Sequence, residues 1–400
     1  MSRGKGQPDS AKPIVVAVMV DALRFDYVEK YSKGFLKERA ALGTTAELVP
    51  TFAFEPDAAY LAGLYPEESD DGARFWRSLK PSPLRWPAVL DSLPSLPQVA
   101  VRRCIDLMIR GLSRYPAVRS SGGTARIPFR ALNYFEDRNR WHLDDQDFCR
   151  AETIFDVLRR KGRQWRYFGF PKSSSDARAV AGQLRRTDLS QVDFVFAIIS
   201  NLDHTGHQFG PDSPQMAASV ERVERWLQEM HDYLSEDHED VEFIVFGDHG
   251  MSAVDGVVNV QEALADCSAE FGKEYVYFLD STLARFWFFD ETARGKITRC
   301  LESLQGVRII DTADRERYRI NYPHNRYGDL VYWVDAPRII LPNYFQGSSS
   351  VKGMHGYRSE VRDNHAAFIR WSSGGIPHAV SAGKQSITFV HSQLLQALRA

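Results

Sequence analysis

Three short apolar runs each lead into an acidic residue, and this pattern constrains the fold more than any other feature of the chain. Ile14–Val20 (IVVAVMV) runs straight into Asp21. Phe194–Ile199 (FVFAII) runs through Ser200, Asn201 and Leu202 to Asp203, with His207 four residues on. Residues 243–246 (FIVF) run through Gly247 into Asp248 and His249. Short runs rich in β-branched residues and bounded by loop signals read as buried strands of a parallel sheet. In such sheets the ligand crevice lies outside the carboxyl ends of the strands. The three strands therefore deliver Asp21, Asp203 with His207, and Asp248 with His249 to one edge, a donor set suited to a pair of divalent ions.

Around these strands the sequence alternates strand and helix, which gives the α/β class with a mostly parallel sheet. Residues 25–41 and 57–64 have helical character, and 46–50 form a short strand. Residues 151–161, 180–186 and 214–234 read as helices, with 165–170 a strand. Ser213 caps the long helix and Pro214 suits its first turn. The core is thus assembled from residues 14–69, 151–265 and 351–400. Residues 70–150, rich in proline and aromatics, read as an insertion or cap above the carboxyl edge of the sheet. Within it, residues 99–112 (VAVRRCIDLMIRGL) have partial amphipathic character. They read as a helix packed on the parent domain, with a surface for a lipid-like or glycan tail as the sharper alternative. Residues 270–350 read as a small α+β subdomain, strand-like at 275–289 and 330–334 with a helix at 292–304. A helix at 389–400 closes the chain.

Composition excludes some function classes. The formal net charge is −2, so nothing draws the chain globally toward nucleic acid or anionic membrane. No apolar run approaches the ~20 residues of a spanning helix. The four cysteines lie far apart without CxxC spacing, which argues against a zinc ribbon and suits a reducing compartment. The expectation is a cytoplasmic protein without a transmembrane segment; the sequence is silent on its oligomeric state.

A single strand-end Asp is most often a cap or a turn residue. Several acids and imidazoles delivered to one sheet edge are a different matter. Gly206, Gly210 and Pro211 mark the segment around Asp203 and His207 as a loop that wraps both side chains around one ion. Asp248 and His249 are adjacent at a strand end, where successive side chains diverge by roughly 180°. The sequence GMHGY at 353–357 places His355 on a turn. Trp76, Phe129, Tyr134 and Phe135 read as core, with an apolar subsite as the alternative. Arg24, Tyr357 and Arg358 are secondary candidates for contact with a ligand.

The motifs V-x-V-D-A-L-R-x-D at 18–26, G-L-Y-P at 63–66, D-x-x-G-H-x-x-G-P at 203–211, G-D-H-G-M at 247–251 and M-H-G-Y at 354–357 occur in that order. Together they resemble the alkaline phosphatase superfamily, and within it the type I phosphodiesterases, also called nucleotide pyrophosphatases. The resemblance implies a doubly wound α/β domain with a small α+β subdomain inserted before the last histidine. It implies two divalent ions, zinc first and manganese as the alternative. By the family pattern one ion takes Asp21, Asp248 and His249, and the other takes Asp203, His207 and His355. The implied activity is hydrolysis of phosphodiester or pyrophosphate bonds in a small-molecule, lipid-linked or glycan-linked phosphate ester. One position departs from the pattern. Family members carry a Thr or Ser nucleophile at the start of the helix leading to G-L-Y-P, and an ungapped match places Ala53 there. Three explanations stand: Thr51 takes the role; a metal-bound hydroxide attacks, with Glu55 or Asp57 as an extra ligand or base; or the protein binds metal and phosphate without catalysis. Phosphoryl transfer to an alcohol, as in the mutases and phosphotransferases of the superfamily, is the alternative reaction.

Overall fold

The structure is a computed structural model that describes residues 14–52, 54, 56–69, 72–82, 100–101, 103–104, 107, 127–137, 143–146, 148–374 and 379–399. Its centre is a sheet of seven strands: β1 (Ile14–Val20), β2 (Thr44–Val49), β3 (Trp165–Phe168), β4 (Phe194–Ile199), β5 (Val241–Phe246), β6 (Ala366–Ser372) and β7 (Val380–Ser386). The spatial order is β7-β2-β6-β5-β1-β4-β3. β1 lies between β4 and β5 and is parallel to both; β3 is parallel to β4, and β7 to β2. Only β6 runs antiparallel to its neighbours. Val20 pairs with Ile199 and Met19 with Phe246, so the three central strands finish level.

Helices cover both faces: α1 (Phe35–Leu42), α2 (Asp57–Ala62), α3 (Ile154–Arg160), α4 (Ala177–Leu184), α5 (Asn201–Phe209), α6 (Pro214–Asp237), α7 (Glu291–Leu301) and α8 (Phe389–Ala397). The period of two along β1 sorts the layers. Ile14, Val16, Val18 and Val20 pack against α1, α4 and α6, whereas Val15, Ala17 and Met19 pack against α2, α3 and α8. Every residue of β1 is buried, as a strand covered on both sides must be. The fold is the doubly wound class, and α7 belongs to a separate layer described next. Ser213 caps α6 by accepting from Met216 N, with Pro214 in the first turn.

Two expected elements are divided. The helical stretch at 25–41 is two helices, Tyr27–Tyr31 and α1, because Glu224 of α6 captures the chain between them. Its carboxylate accepts from Ser32 Oγ and from the backbone amides of Lys33, Gly34 and Leu36 at 2.5–3.3 Å. The strand-like 275–289 is a hairpin, Tyr275–Leu279 with Leu283–Phe288. With Leu330–Val334 and Val307–Ile309 it makes a four-stranded antiparallel sheet, and α7 covers one face through Ala293, Ile297 and Leu301.

The described part of 70–150 divides: Leu143 and Phe148 pack on the core, with Leu143 at the cavity by the strand ends, and the earlier aromatics cover the second sheet. Phe75, Phe129 and Phe135 pack on Val276, Phe278 and Trp287, the other face of the antiparallel sheet. An apolar face of a sheet needs such a cover. Trp76, Phe129 and Phe135 are fully buried, and Tyr134 Oη donates to Gly272 O at 2.6 Å. These aromatics are therefore core and fold support. The 99–112 segment lies mostly outside the described residues. No helix among the described residues is long and apolar enough to cross a membrane.

Candidate metal centre

The level ends of β1, β4 and β5 bring their following residues together. Asp21 N donates to Ile199 O at 2.8 Å, which fixes the turn after β1 against β4. The next residue, Ala22, adopts φ +61, a conformation few side chains tolerate. Its amide donates to Asp248 Oδ1 at 3.2 Å, so the strained turn is held by the acid at the end of β5.

Asp203 and His207 lie on a helix, not on the loop expected from the glycines. Residues four apart share a helix face, so α5 itself aims both side chains at one point. Gly206 serves close packing: a Cβ there would sit 2.8 Å from Met251 Cε. Gly210, at φ +90, ends the helix. His355 arrives from the far end of the chain. The short strand Gly353–Met354 pairs with Ser252–Ala253, just after the β5 acid–histidine pair. The His355 ring then stacks on His249, with centroids 3.7 Å apart and 6° between planes.

The six side chains form two triads, Asp21 with Asp248 and His249, and Asp203 with His207 and His355. Within each, one donor atom per residue lies within 4.8 Å of the others. These are the sets that the family pattern assigns. Ring tautomers make the geometry decisive. His207 Nδ1 lies 2.8 Å from Gly353 O, and His249 Nδ1 lies 2.8 Å from Gly250 O. A carbonyl only accepts, so both Nδ1 atoms carry hydrogen. In the neutral rings Nε2 is then a bare lone pair. His207 Nε2 sits 3.1 Å from Asp203 Oδ1, and His249 Nε2 sits 3.4 Å from both Asp21 Oδ1 and Asp248 Oδ2. Lone pairs of nitrogen and carboxylate facing each other at this range repel unless a cation lies between them, either a metal ion or a proton on the imidazole. Asp203 Oδ1 and His355 Nδ1 are buried without a hydrogen-bond partner. The mixed oxygen and nitrogen donors fit zinc or manganese.

Electrostatics point the same way. Burial raises the pKa of Asp21 well above its ordinary value, and the charges of Asp203, Asp248 and Asp57 add to it, while Ser200 opposes through a hydrogen bond. Burial also raises Asp248, against the pull of His249. Burial alone would raise Asp203, but His207, His355 and His249 outweigh it and hold that acid below the usual carboxylate range. His355 is pushed well below its ordinary value, first by burial and then by His249. Burial likewise lowers His207, yet Asp203 and the Gly353 carbonyl together overcome it and the net shift is upward. In the metal-free fold, burial and the neighbouring acids thus disfavour the charged form of Asp21.

A cavity of 390 Å³ opens on these residues. Asp21, Asp57, Asp203, Asp248, His249 and His355 line one side, and Met19, Phe54, Leu143, Phe170 and Ile198 supply an apolar wall. No Lys or Arg is among its described lining residues. Among the described residues, an anionic phosphate therefore meets no Lys or Arg there. Ser175 and Ser200 also line it, with Ser200 Oγ donating to Ser175 Oγ at 3.0 Å. Asp57, a candidate extra ligand or base from its sequence position, does line the cavity, whereas Ser175, Ser200 and Phe170 are not singled out by the sequence.

The remaining candidates lie elsewhere. Thr51 lines a separate, much smaller cavity with Ala58, Ala59 and Ser69, and its buried hydroxyl has no hydrogen-bond partner. It is not placed on the wall of the acidic cavity. Glu55 and Ala53 lie outside the described residues. Arg24 is buried and bonds Asp26, Asp212 and Met251 O, so it braces the turn after β1. Tyr357 is buried with its hydroxyl on Arg338 O, and Arg358 pairs with Asp335.

Comparison with known proteins places the chain in a family. The family model described as type I phosphodiesterase / nucleotide pyrophosphatase matches residues 129–358. A venom phosphodiesterase of Naja atra is 26% identical over 257 residues, covering 58% of this chain and 30% of that protein. The ectonucleotide pyrophosphatase/phosphodiesterase family member 5 of Homo sapiens is 24% identical over 174 residues, covering 42% of this chain and 34% of that protein. The chain thus spans about a third of the length of these curated relatives. Among solved structures, an inactive variant of murine ectonucleotide pyrophosphatase / phosphodiesterase 5 in complex with AMP is similar with a TM-score of 0.69 at 18% identity, over 97% of this chain and 95% of that one. The human protein of that name gives 0.70 at 16% identity, over 96% and 95%. At such identity the likeness is one of fold, the alkaline phosphatase-like α/β fold. With the family model covering more than half of its length, the chain belongs to the type I phosphodiesterase / nucleotide pyrophosphatase family of the alkaline phosphatase superfamily.

Proposed function

We propose that the chain hydrolyses phosphodiester or pyrophosphate bonds of small phosphate esters, with two divalent ions held by the two triads. The observation that carries this reading is the set of imidazole lone pairs fixed by backbone carbonyls and facing carboxylates at 3.1–3.4 Å. Asp21, Asp248 and His249 hold one ion; Asp203, His207 and His355 hold the other. Two such ions supply the charge that polarises the phosphoryl group and neutralises the leaving oxygen. The protein does the rest. Gly353 and Gly250 carbonyls keep the histidines in the ligating tautomer. The apolar wall of Met19, Leu143, Phe170 and Ile198 excludes water from one side of the bound phosphate. An ester of the nucleotide type fits the family, and lipid-linked or glycan-linked phosphates are tested beside it.

Turnover of an aryl phosphodiester by purified protein with zinc or manganese is the direct test. Bound ions without turnover on any diester, pyrophosphate or monoester would instead favour a non-catalytic binder, the reading that Ala53 supports. Transfer to an added acceptor alcohol in preference to water would make the chain a phosphotransferase. The four cysteines are free thiols, which supports a cytoplasmic location. Fractionation that finds the native chain outside the cytosol would overturn that placement.

A further inference from the structure

The family's alcohol nucleophile has no counterpart at Ala53, and the Thr51 hydroxyl lines another cavity. One acid of the cavity is still without a task. Asp57 lines it but belongs to neither ligand triad. It shares that cavity wall with Asp21, Asp248 and His249, the first triad. Its carboxylate accepts a hydrogen bond from Tyr60 Oη, one turn along α2. Tyr60 is fully buried, and its ring packs on Phe196 of β4 and Phe246 of β5, at 6.4 and 5.3 Å between centroids. Asp57 is therefore hydrogen-bonded to a phenol anchored on two of the three strands that deliver metal-type ligands. Burial first, and then the Asp57 charge, keep the proton on that phenol, so it stays a donor.

We propose that Asp57 is the general base of direct hydrolysis, with Tyr60 as its positioning residue. This rests on the hydrolase reading above. A water oxygen attacks phosphorus and forms the new P–O bond as the bond to the leaving oxygen breaks. The water proton passes to the Asp57 carboxylate, and from there to the departing oxygen or to solvent. No covalent phosphoryl-protein forms. A positioned base of this kind is worth about 10²–10⁴-fold.

The test uses the full chain loaded with zinc, in wild type, Asp57→Asn, Asp57→Ala and Tyr60→Phe, with four readouts. Metal content by mass spectrometry stays at two ions per chain in all four proteins. Turnover of the aryl diester falls at least 100-fold in Asp57→Asn, and added formate partly restores it in Asp57→Ala. Tyr60→Phe lowers kcat with KM unchanged, and formate does not rescue it. A chiral phosphorothioate diester hydrolysed by the wild type gives inversion at phosphorus. Retention, or an acid-quenched phosphoserine at Ser175 or Ser200, would overturn the base role while leaving the hydrolase reading intact. So would Asp57→Asn with turnover within threefold of wild type. Loss of an ion in Asp57→Asn would make Asp57 a ligand, which also overturns it. A wild type that holds its ions and turns over no ester would overturn both readings.

Discussion

Gly353 offers a sharp perturbation because it sits where two distant parts of the chain meet the metal-type cluster. Its carbonyl accepts from His207 Nδ1 at 2.8 Å, and the amide before it, Lys352 N, donates to His207 O at 2.8 Å. A Cβ on residue 353 would lie 2.6 Å from Gly206 O, with Met251 Sδ at 3.0 Å. The methionine can swing away, but the helix carbonyl cannot. Ordinary contact begins near 3.4 Å, so Gly353→Ala must push the strand off α5 by about 0.8 Å. Metal–ligand distances tolerate about 0.2 Å. His355 follows two residues later, and the His207 tautomer depends on the same carbonyl. The expected result is one tightly held zinc ion instead of two, with affinity at the Asp203 triad reduced at least 10–100-fold. The overpacking itself costs about 1–3 kcal/mol of stability. Calorimetric zinc titration with metal analysis of the dialysed protein reads the first effect, and urea denaturation of the metal-free protein reads the second. Two ions bound at wild-type affinity in Gly353→Ala would refute the reasoning, because the cluster would then not depend on this contact.

Other substitutions probe the same account. In the metal-free fold the Asp21 pKa is raised, so this group contributes stability below the ordinary carboxylate pKa and loses that contribution as pH rises through the raised value. Asp21→Asn should therefore raise the metal-free Tm at neutral pH, flatten its pH dependence and abolish ion binding at that triad; an unchanged Tm in calorimetry would count against a disfavoured Asp21 charge. Glu224→Ala leaves the buried donors of Ser32 and Leu36, and the partly exposed amides of Lys33 and Gly34, without their acceptor, and urea melts should show a loss of about 2–3 kcal/mol. A loss under 1 kcal/mol would mean that water replaces the carboxylate. Gly295, inside α7, has open space where its Cβ would stand, and Gly295→Ala should stabilise by about 0.5–1 kcal/mol with ion binding untouched.

What the sequence made visible follows from range. β1, β4 and β5 are buried on both faces, so their apolar runs stand out without any knowledge of partners. Their ends lie level, and acids at run ends therefore predict one cluster. The glycines around His207 hid a helix, because Gly206 answers to Met251 and Gly353, far along the chain. The break between Tyr31 and Phe35 was equally hidden, since its cap is Glu224 on a distant helix. Asp57 reads locally as a first-turn acid, an ordinary helix start. Its place near the departing nucleophile position makes it a candidate base, and the fold sets it in the same cavity as Asp21. The aromatics between 75 and 135 read as core from the sequence, but the sheet face they cover could not be named, because it is encoded far along the chain at Val276, Phe278 and Trp287.

The central claim is that two cations sit between the imidazole lone pairs and the carboxylates of the two triads. Anomalous diffraction at the zinc edge from crystals of zinc-loaded protein tests it most directly. The account predicts two peaks, one within bonding range of Asp21, Asp248 and His249 and one within bonding range of Asp203, His207 and His355. A single peak bridging all six residues, or peaks only at surface carboxylates with the triads bare, would contradict it.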